Sequence, residues 1–286
     1  MSAFITYLIA GLAAGASFAL VGSGFVVVHR VTGVINFAQG TVAVVGGFAA
    51  SSFLSMSIPH GAAELMAILA AGAVGLLVGV IAIAKPGIQI LNSLLITLGL
   101  AGAAYAVEIL IWGENPVSFS MLGGNVTILG ASLQSQYFLI MGVTAVTFLA
   151  LELFFSRAYL GKALTACSLN AYAARVVGVN VTRMGLVAFT IGGLLGGLAG
   201  VLVAPLQSVS YSSDLALGVN GFSAAVLGGL MSPALALCGG LLLGVAESMV
   251  SGYMSGADQT EVALLLMLAV MIWRAQKQTT LAQETA

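Results

Sequence analysis

FITYLIAGLAAGASFALVGSGFVVV, residues 4–28, runs from Phe4 to Val28 without one charged side chain. The hydrocarbon core of a bilayer is about 30 Å thick and needs about 20 apolar residues in a helix to cross it, so this stretch is long enough to span. It lacks a basic leading region and exceeds a signal-peptide core, which makes it a retained span rather than a cleaved leader. Its Gly, Ala and Ser residues suit a helix that packs closely on others in lipid, where small side chains let backbones approach.

The rest of the chain repeats this pattern. Further apolar stretches fall at 38–55, 62–84, 90–111, 137–155, 184–206, 219–231, 234–251 and 260–273. With 60% hydrophobic and 6% charged residues and a mean hydropathy of +1.13, too few polar groups exist to coat a water-soluble globule. A large soluble domain is excluded, and the expectation is a single transmembrane domain over 1–286, all-α, a polytopic helical bundle of 8–9 segments. The 219–231 stretch is short and ends at Ser232-Pro233, so a half-helix, a short crossing and part of a broken helix all stay open. Cys167 and Cys238 cannot supply a metal tetrad and are read as small packing residues.

Basic residues orient the chain, because loops kept in the cytoplasm are enriched in Lys and Arg. Arg157, Lys162, Arg175 and Arg183 share the 156–183 connection, which has no Asp or Glu and is therefore read as cytoplasmic. Alternation outward from it puts Arg30 and Lys85 inside and the N-terminus, the 56–61 turn and the 112–136 loop outside; Arg274 and Lys277 are inside if 219–231 crosses. The first and sixth segments then run in opposite senses. Each is followed by a Gly- and Asn-bearing stretch, Gly33-Val34-Ile35-Asn36 and Gly218-Val219-Asn220-Gly221, which points to broken helices in an inverted repeat; the alternative is a pair of ordinary turns.

Motifs for chemistry are missing. A phosphate loop needs G-x-x-x-x-G-K-[ST], but Gly161-Lys162 is followed by Ala163 and has Ser156 in place of the leading Gly. No G-x-S-x-G, H-E-x-x-H or C-x-x-C occurs, so a catalytic role is unsupported and the chain is expected to be a non-enzyme with no cofactor or metal of its own. The 156–183 connection instead fits two short helices, one with an apolar side of Leu164, Cys167 and Leu169, another with Ala173, Val176 and Val177, and with Gly178 as a helix stop. An amphipathic pattern exceeds what a connector needs and points to docking of a cytoplasmic partner; the alternative is a solvated basic anchor.

Five blocks in order carry a family resemblance. They are V-T-G-V-I-N-F-A-Q-G at 31–40, L-L-I-T-L-G-L at 94–100 with Trp112-Gly113 and Pro116, the 156–183 loop, F-S-A-A-V-L-G-G-L at 222–230, and G-G-L-L-L-G-V-A-E at 239–247. In these the chain resembles the branched-chain amino acid permeases of bacterial ABC importers, specifically the smaller of their two membrane subunits. The loop matches through Gly161, Ala163, Leu164, Asn170, Ala174, Gly178 and Asn180; Thr165 departs from the usual Arg, and Gln39 stands where a His is common. The resemblance implies a multi-pass inner-membrane subunit paired with a second permease, two cytoplasmic ATP-binding subunits that hold ATP and Mg, and a periplasmic solute-binding protein. It places ATPase coupling on the 156–183 loop, where Arg157, Lys162, Ala173 and Arg175 join the matched residues as candidates. Nucleic acid is not among the partners expected.

Polar groups at membrane depth face protein or water, which selects Asn36, Gln39, Asn92, Thr97, Glu108 and Glu247 as pathway candidates. Asn36 and Gln39 flank the first break, where capping is the simpler role. Glu108 lies near the outer end of its span, where snorkelling to the surface competes with function. Glu247 divides between helix-to-helix hydrogen bonding and a pathway role. The competing function is an ion- or proton-coupled secondary transporter or channel, and relatives of the resembled family also carry urea or amides.

Overall fold

The computed structural model describes residues 2–83, 89–119, 124–128 and 131–253, then 261, 264, 265, 267–270 and 272. The expected ninth segment at 260–273 lies largely outside the described residues, as do Lys85, Arg274 and Lys277. The helices in chain order are α1 Ser2–Thr32, α2 Gln39–Ser55, α3 Ala62–Ile83, α4 Ile90–Trp112, α5 Ser135–Arg157, α6 Tyr159–Leu169, α7 Ala171–Val176, α8 Val181–Val203, α9 Ser213–Leu227 and α10 Pro233–Tyr253. Six of these, α1, α3, α4, α5, α8 and α10, are long and apolar enough to cross a membrane, while α2 and α9 are shorter.

α1 is the axis of the bundle. Apolar on every face, it buries almost all residues from Ala13 to Val28, as expected for a helix surrounded by others. It packs on α10 through glycines: a Cβ on Gly15 would meet the Gly240 carbonyl at 2.5 Å, and one on Gly244 would meet the Gly15 nitrogen at 2.3 Å. Since lipid tails are as apolar as Leu, van der Waals contact along such smooth seams takes the place of the hydrophobic drive.

α8 is the second glycine-bearing axis, and its G-G-L-L-G-G-L-A-G run forms two rows four residues apart. Gly193 and Gly197 face Ala71 and Gly75 of α3, while Gly192, Gly196 and Gly200 face Gln39 and Ala43 of α2. The two axes are matched in their neighbours. α1 packs on α10 and α9 as α8 packs on α3 and α2, and α9 lies on α10 as α2 lies on α3.

Between α1 and α2 the chain breaks where the sequence reading puts it. Gly33 takes φ +73°, a left-handed conformation that glycine adopts without a Cβ clash, and residues 33–38 fold back so that Gln39 reaches the level of Gly24. The second break is displaced from its expected position. Gly218-Val219-Asn220-Gly221 lies inside continuous α9, and the interruption falls earlier, at 204–212. The two glycines there serve contact instead of a turn, Gly221 against Val21 and Gly22, Gly218 against Gly40.

The expected external loop contains a small antiparallel hairpin, β1 Asn125–Ile128 and β2 Ala131–Gln134, with Ala131 and Leu133 buried and Ser132 and Gln134 exposed. Just before it, Val117 and Val209 exchange both backbone hydrogen bonds at 2.8 Å, tying the strap after α4 to the 204–212 segment. Trp112 closes α4 by stacking on Phe48 and donating to Ser52 Oγ at 2.7 Å.

Candidate functional site

Two regions at opposite ends of the bundle concentrate the polar and exposed groups. At one end lie α6 and α7. The chain turns at Ala158, and α6 folds tightly onto the end of α5, where a Cβ on Gly161 would fall 2.1 Å from the Phe154 carbonyl. Asn170 then caps α7, its Oδ1 accepting from the Tyr172 and Ala173 amides at 3.0 Å, and Asn180 caps α8 through the Arg183 amide at 2.9 Å. Gly178, at φ +89°, ends the unit as expected.

Ala163, Leu164, Cys167 and Ala174 are buried, and the last three pack this unit against Val27, Val31 and Ala188. Burial pushes the Cys167 thiol above its ordinary range, with Arg175 opposing. Arg30 reaches Ser168 at 3.5 Å. The predicted apolar sides need correction: Leu169, Ala173, Val176 and Val177 are exposed, together with Tyr159 and Tyr172. On a six-residue helix the inward turn is taken by small Ala174, which lets α7 lie close, so the larger apolar residues point away. Arg157, Lys162, Arg175 and Arg183 are exposed among them.

At the opposite end a cavity of about 450 Å³ opens between α1, α9 and α10. Each helix contributes one face, with Ser17 of α1, Asn220 of α9, and Glu247 and Ser248 of α10 at its polar wall. Asn220 Nδ2 donates to Glu247 Oε2 at 3.3 Å, while Glu247 Oε1 and Asn220 Oδ1 are buried without a hydrogen-bond partner among the described residues.

The remaining pathway candidates do not gather here. Asn36, Gln39 and Thr97 form a separate buried knot at the first break. Asn36 Oδ1 accepts from the Ala38 amide at 3.2 Å, its Nδ2 donates to Gln39 Oε1 at 3.3 Å, and Gln39 Nε2 donates to the Gly192 carbonyl at 2.7 Å. Thr97 Oγ1 accepts from the Phe37 amide at 3.3 Å, stapling α4 to the break. Asn36 thus caps a turn, whereas Gln39 reaches across to α8.

Glu108 does not snorkel: it is 1% exposed, and both carboxylate oxygens lack a partner among the described residues. It lies within electrostatic reach of Asp214, which sits beside Thr41 where α2 and α9 begin. Asn92 is exposed on α4, apart from all of these groups. Sequence reasoning misses Asn220 as a partner of Glu247, the cavity serines, and Asp214. In the sequence Asn220 stands out only as part of a break, and serines in apolar helices carry no pattern that marks a cavity.

The chain matches the family model described as branched-chain amino acid transport system, permease component, over residues 7–274. It is 28% identical to the high-affinity branched-chain amino acid transport system permease protein LivH of Salmonella typhimurium, covering 94% of this chain and 93% of that one. The corresponding permease BraD of Pseudomonas aeruginosa is 29% identical, with 95% and 94% covered. A probable branched-chain amino acid transport permease of Methanocaldococcus jannaschii is 26% identical, with 88% and 85% covered. Near end-to-end coverage, together with six apolar helices, leads to one conclusion: the chain is a multi-pass inner-membrane protein that belongs to the permease components of branched-chain amino acid ABC transport systems.

Proposed function

We propose that this chain is one of two membrane subunits of an importer that carries branched-chain amino acids or closely related small solutes. Solute is handed over by a periplasmic binding protein, and two cytoplasmic ATPases, which hold ATP and Mg, drive the cycle. The observation that carries the reading is the surface of α6 and α7. Tyr172, Val176 and Val177 are each more than 70% exposed beside Arg175, although apolar residues of that size on a short helix need cover in the finished assembly. A cytoplasmic ATPase fits this surface, because the basic residues of 156–183 place the same end inside the cell. The coupling residues then fall into two groups. Gly161, Ala163, Leu164, Ala174, Asn170, Gly178 and Asn180 shape and hold the unit, while Arg157, Lys162, Ala173 and Arg175 meet the partner.

An inverted repeat of α1–α2–α3 and α8–α9–α10, inserted in opposite senses, agrees with the matched neighbours of the two axes. The short helices α2 and α9 begin beside one another, with Gly40 against Gly218 and the Asp214 carbonyl. Half-helix ends meeting between repeats are where transporters of this construction handle solute. With α2 and α9 counted as crossings, eight segments traverse the membrane within the described residues, and the cavity between α1, α9 and α10 opens to the periplasm.

The test is reconstitution in proteoliposomes with the second permease, the ATPase pair and the binding protein. ATP-dependent uptake of L-leucine is expected, and no ATP turnover by this chain alone. Leucine uptake driven by a proton gradient without the ATPases would replace this reading with that of a secondary transporter.

A further inference from the structure

The wall of the cavity between α1, α9 and α10 holds two buried side-chain acceptors that no donor among the described residues reaches. Glu247 is 5% exposed and Asn220 9%, and each carries a buried oxygen with no hydrogen-bond partner among the described residues. One N–H of the Asn220 amide is committed to Glu247 Oε2. Two of the lining hydroxyls donate elsewhere, Ser17 Oγ to the Ala13 carbonyl at 3.3 Å and Ser248 Oγ to the Tyr7 carbonyl at 2.7 Å, and so present lone pairs to the cavity. Among the described residues no Lys, Arg or His lines the cavity. Leaving buried acceptors unmatched is unfavourable, and a group with several donors, no acceptor and a positive charge satisfies all of them together.

We propose that this cavity is a solute site in which Glu247 and Asn220 receive a primary ammonium group. Phe18, Leu206 and Leu217 on the apolar side take the body of the solute. The volume, about 450 Å³, falls in the roughly 300–1,000 Å³ range of small-molecule pockets. The inference rests on the importer reading for the identity of the solute, since an amino acid brings such an ammonium. Two orphaned acceptors, one on a carboxyl group, match a head group with several donors, which favours the ammonium over a carboxylate, an amide oxygen or a single-donor alcohol. Glu247 is then a specificity residue that distinguishes amines from isosteres lacking the charge.

The test uses the complete transporter in nanodiscs, with Cys167→Ala and Cys238→Ser as background and Ser251→Cys as a reporter on the cavity wall. Three probes share a branched apolar body: 3-methylbutylamine, 3-methylbutanol and 4-methylpentanoate. At ten times its dissociation constant the amine is expected to slow maleimide alkylation of the reporter about tenfold. The alcohol and the carboxylate are expected to leave the rate unchanged. Glu247→Gln keeps shape and assembly and should weaken amine protection about ten- to a hundredfold. Equal protection by amine and alcohol overturns the proposal without needing any Glu247 variant, and so does undiminished protection in Glu247→Gln. ATP-driven L-leucine uptake by the same complex separates the two readings. Uptake without amine protection refutes the site alone, whereas amine protection without leucine uptake supports the site and refutes the leucine importer.

Discussion

Replacing Gly24 by Ala tests whether the knot at the first break is a fitted structure. A Cβ on Gly24 would stand 2.1 Å from Gln39 Nε2 and 2.8 Å from its Cδ, against 3.4 Å for ordinary contact. The amide must retreat by more than 1 Å, and Gly192 and Gly196 crowd the other side, so the 2.7 Å bond to the Gly192 carbonyl is lost. Overpacking of this kind costs about 1–3 kcal/mol. Gln39→Ala removes the same bond, leaves the Asn36 amide without its acceptor and opens a void. The expected cost is about 2–4 kcal/mol, held to the lower end because a polar group in a membrane-unfolded chain also finds partners. In the double variant the new methyl enters the space the amide vacated. The pair should therefore cost less than the sum of its parts, with a coupling of about 1–3 kcal/mol. Unfolding of the purified chain in bicelles by SDS gives the three free energies. Additivity within about 0.5 kcal/mol would show that the amide moves aside freely and that the glycine cradle constrains nothing.

Tyr172→Asp or Val176→Asp on the exposed face of α7 should abolish ATPase co-purification and reduce ATP-driven uptake at least about tenfold, while Lys162→Ala changes little because exposed ion pairs are worth about 0–1 kcal/mol. Ala174→Trp should instead lower the stability of the chain by itself, because Ala174 is buried within the α6–α7 unit; normal melting of that variant would refute its inward placement. Asn180→Ala should cost about 1 kcal/mol through the lost cap on α8, read by the same SDS titration. Cys167 should alkylate far more slowly than Cys238 with a membrane-permeant maleimide at neutral pH, since it is buried and its raised pKa leaves less thiolate; equal rates would overturn its burial. Tyr172→Cys should be closed and Val126→Cys open to an impermeant thiol reagent added from outside, and the reverse result would invert the orientation.

Positions of the long helices are legible because hydropathy reports length in lipid directly, and α1, α3, α4, α5, α8 and α10 lie where the apolar stretches put them. The break at Gly33 is legible because a glycine that turns the chain is followed by polar Asn36. Gly218 and Gly221 look alike on paper but are smooth contact surfaces, and nothing local distinguishes a glycine that bends from one that touches. For the same reason the two rows on α8 escape a sequence reading, since their meaning lies in Gln39, Ala43 and Ala71, far away in sequence. The hairpin at 125–134 is too short for alternation to register. At the sites, the helix stop at Gly178 and the burial of Glu247 follow from residue type and spacing, whereas the caps at Asn170 and Asn180 emerge only from the structure. The outward face of α7, the burial of Glu108 and the pairing of Asn220 with Glu247 depend on which helices meet, which the chain does not encode locally.

The central place of α1 bears on how the protein is made. Its main partners, α8, α9 and α10, begin at residues 181, 213 and 233, so α1 enters the membrane long before the helices that enclose it. At about 5–20 residues per second, translation leaves α1 waiting roughly 10–40 s for α10. An apolar surface on all sides makes that wait harmless in lipid. Gln39 has no such shelter, because the glycines of α8 that cradle it arrive about 150 residues later. In a nascent chain halted before α8, the Gln39 amide keeps its Asn36 partner but lacks the Gly192 carbonyl that fixes it in the finished bundle, so the last-made half of the protein completes the first break.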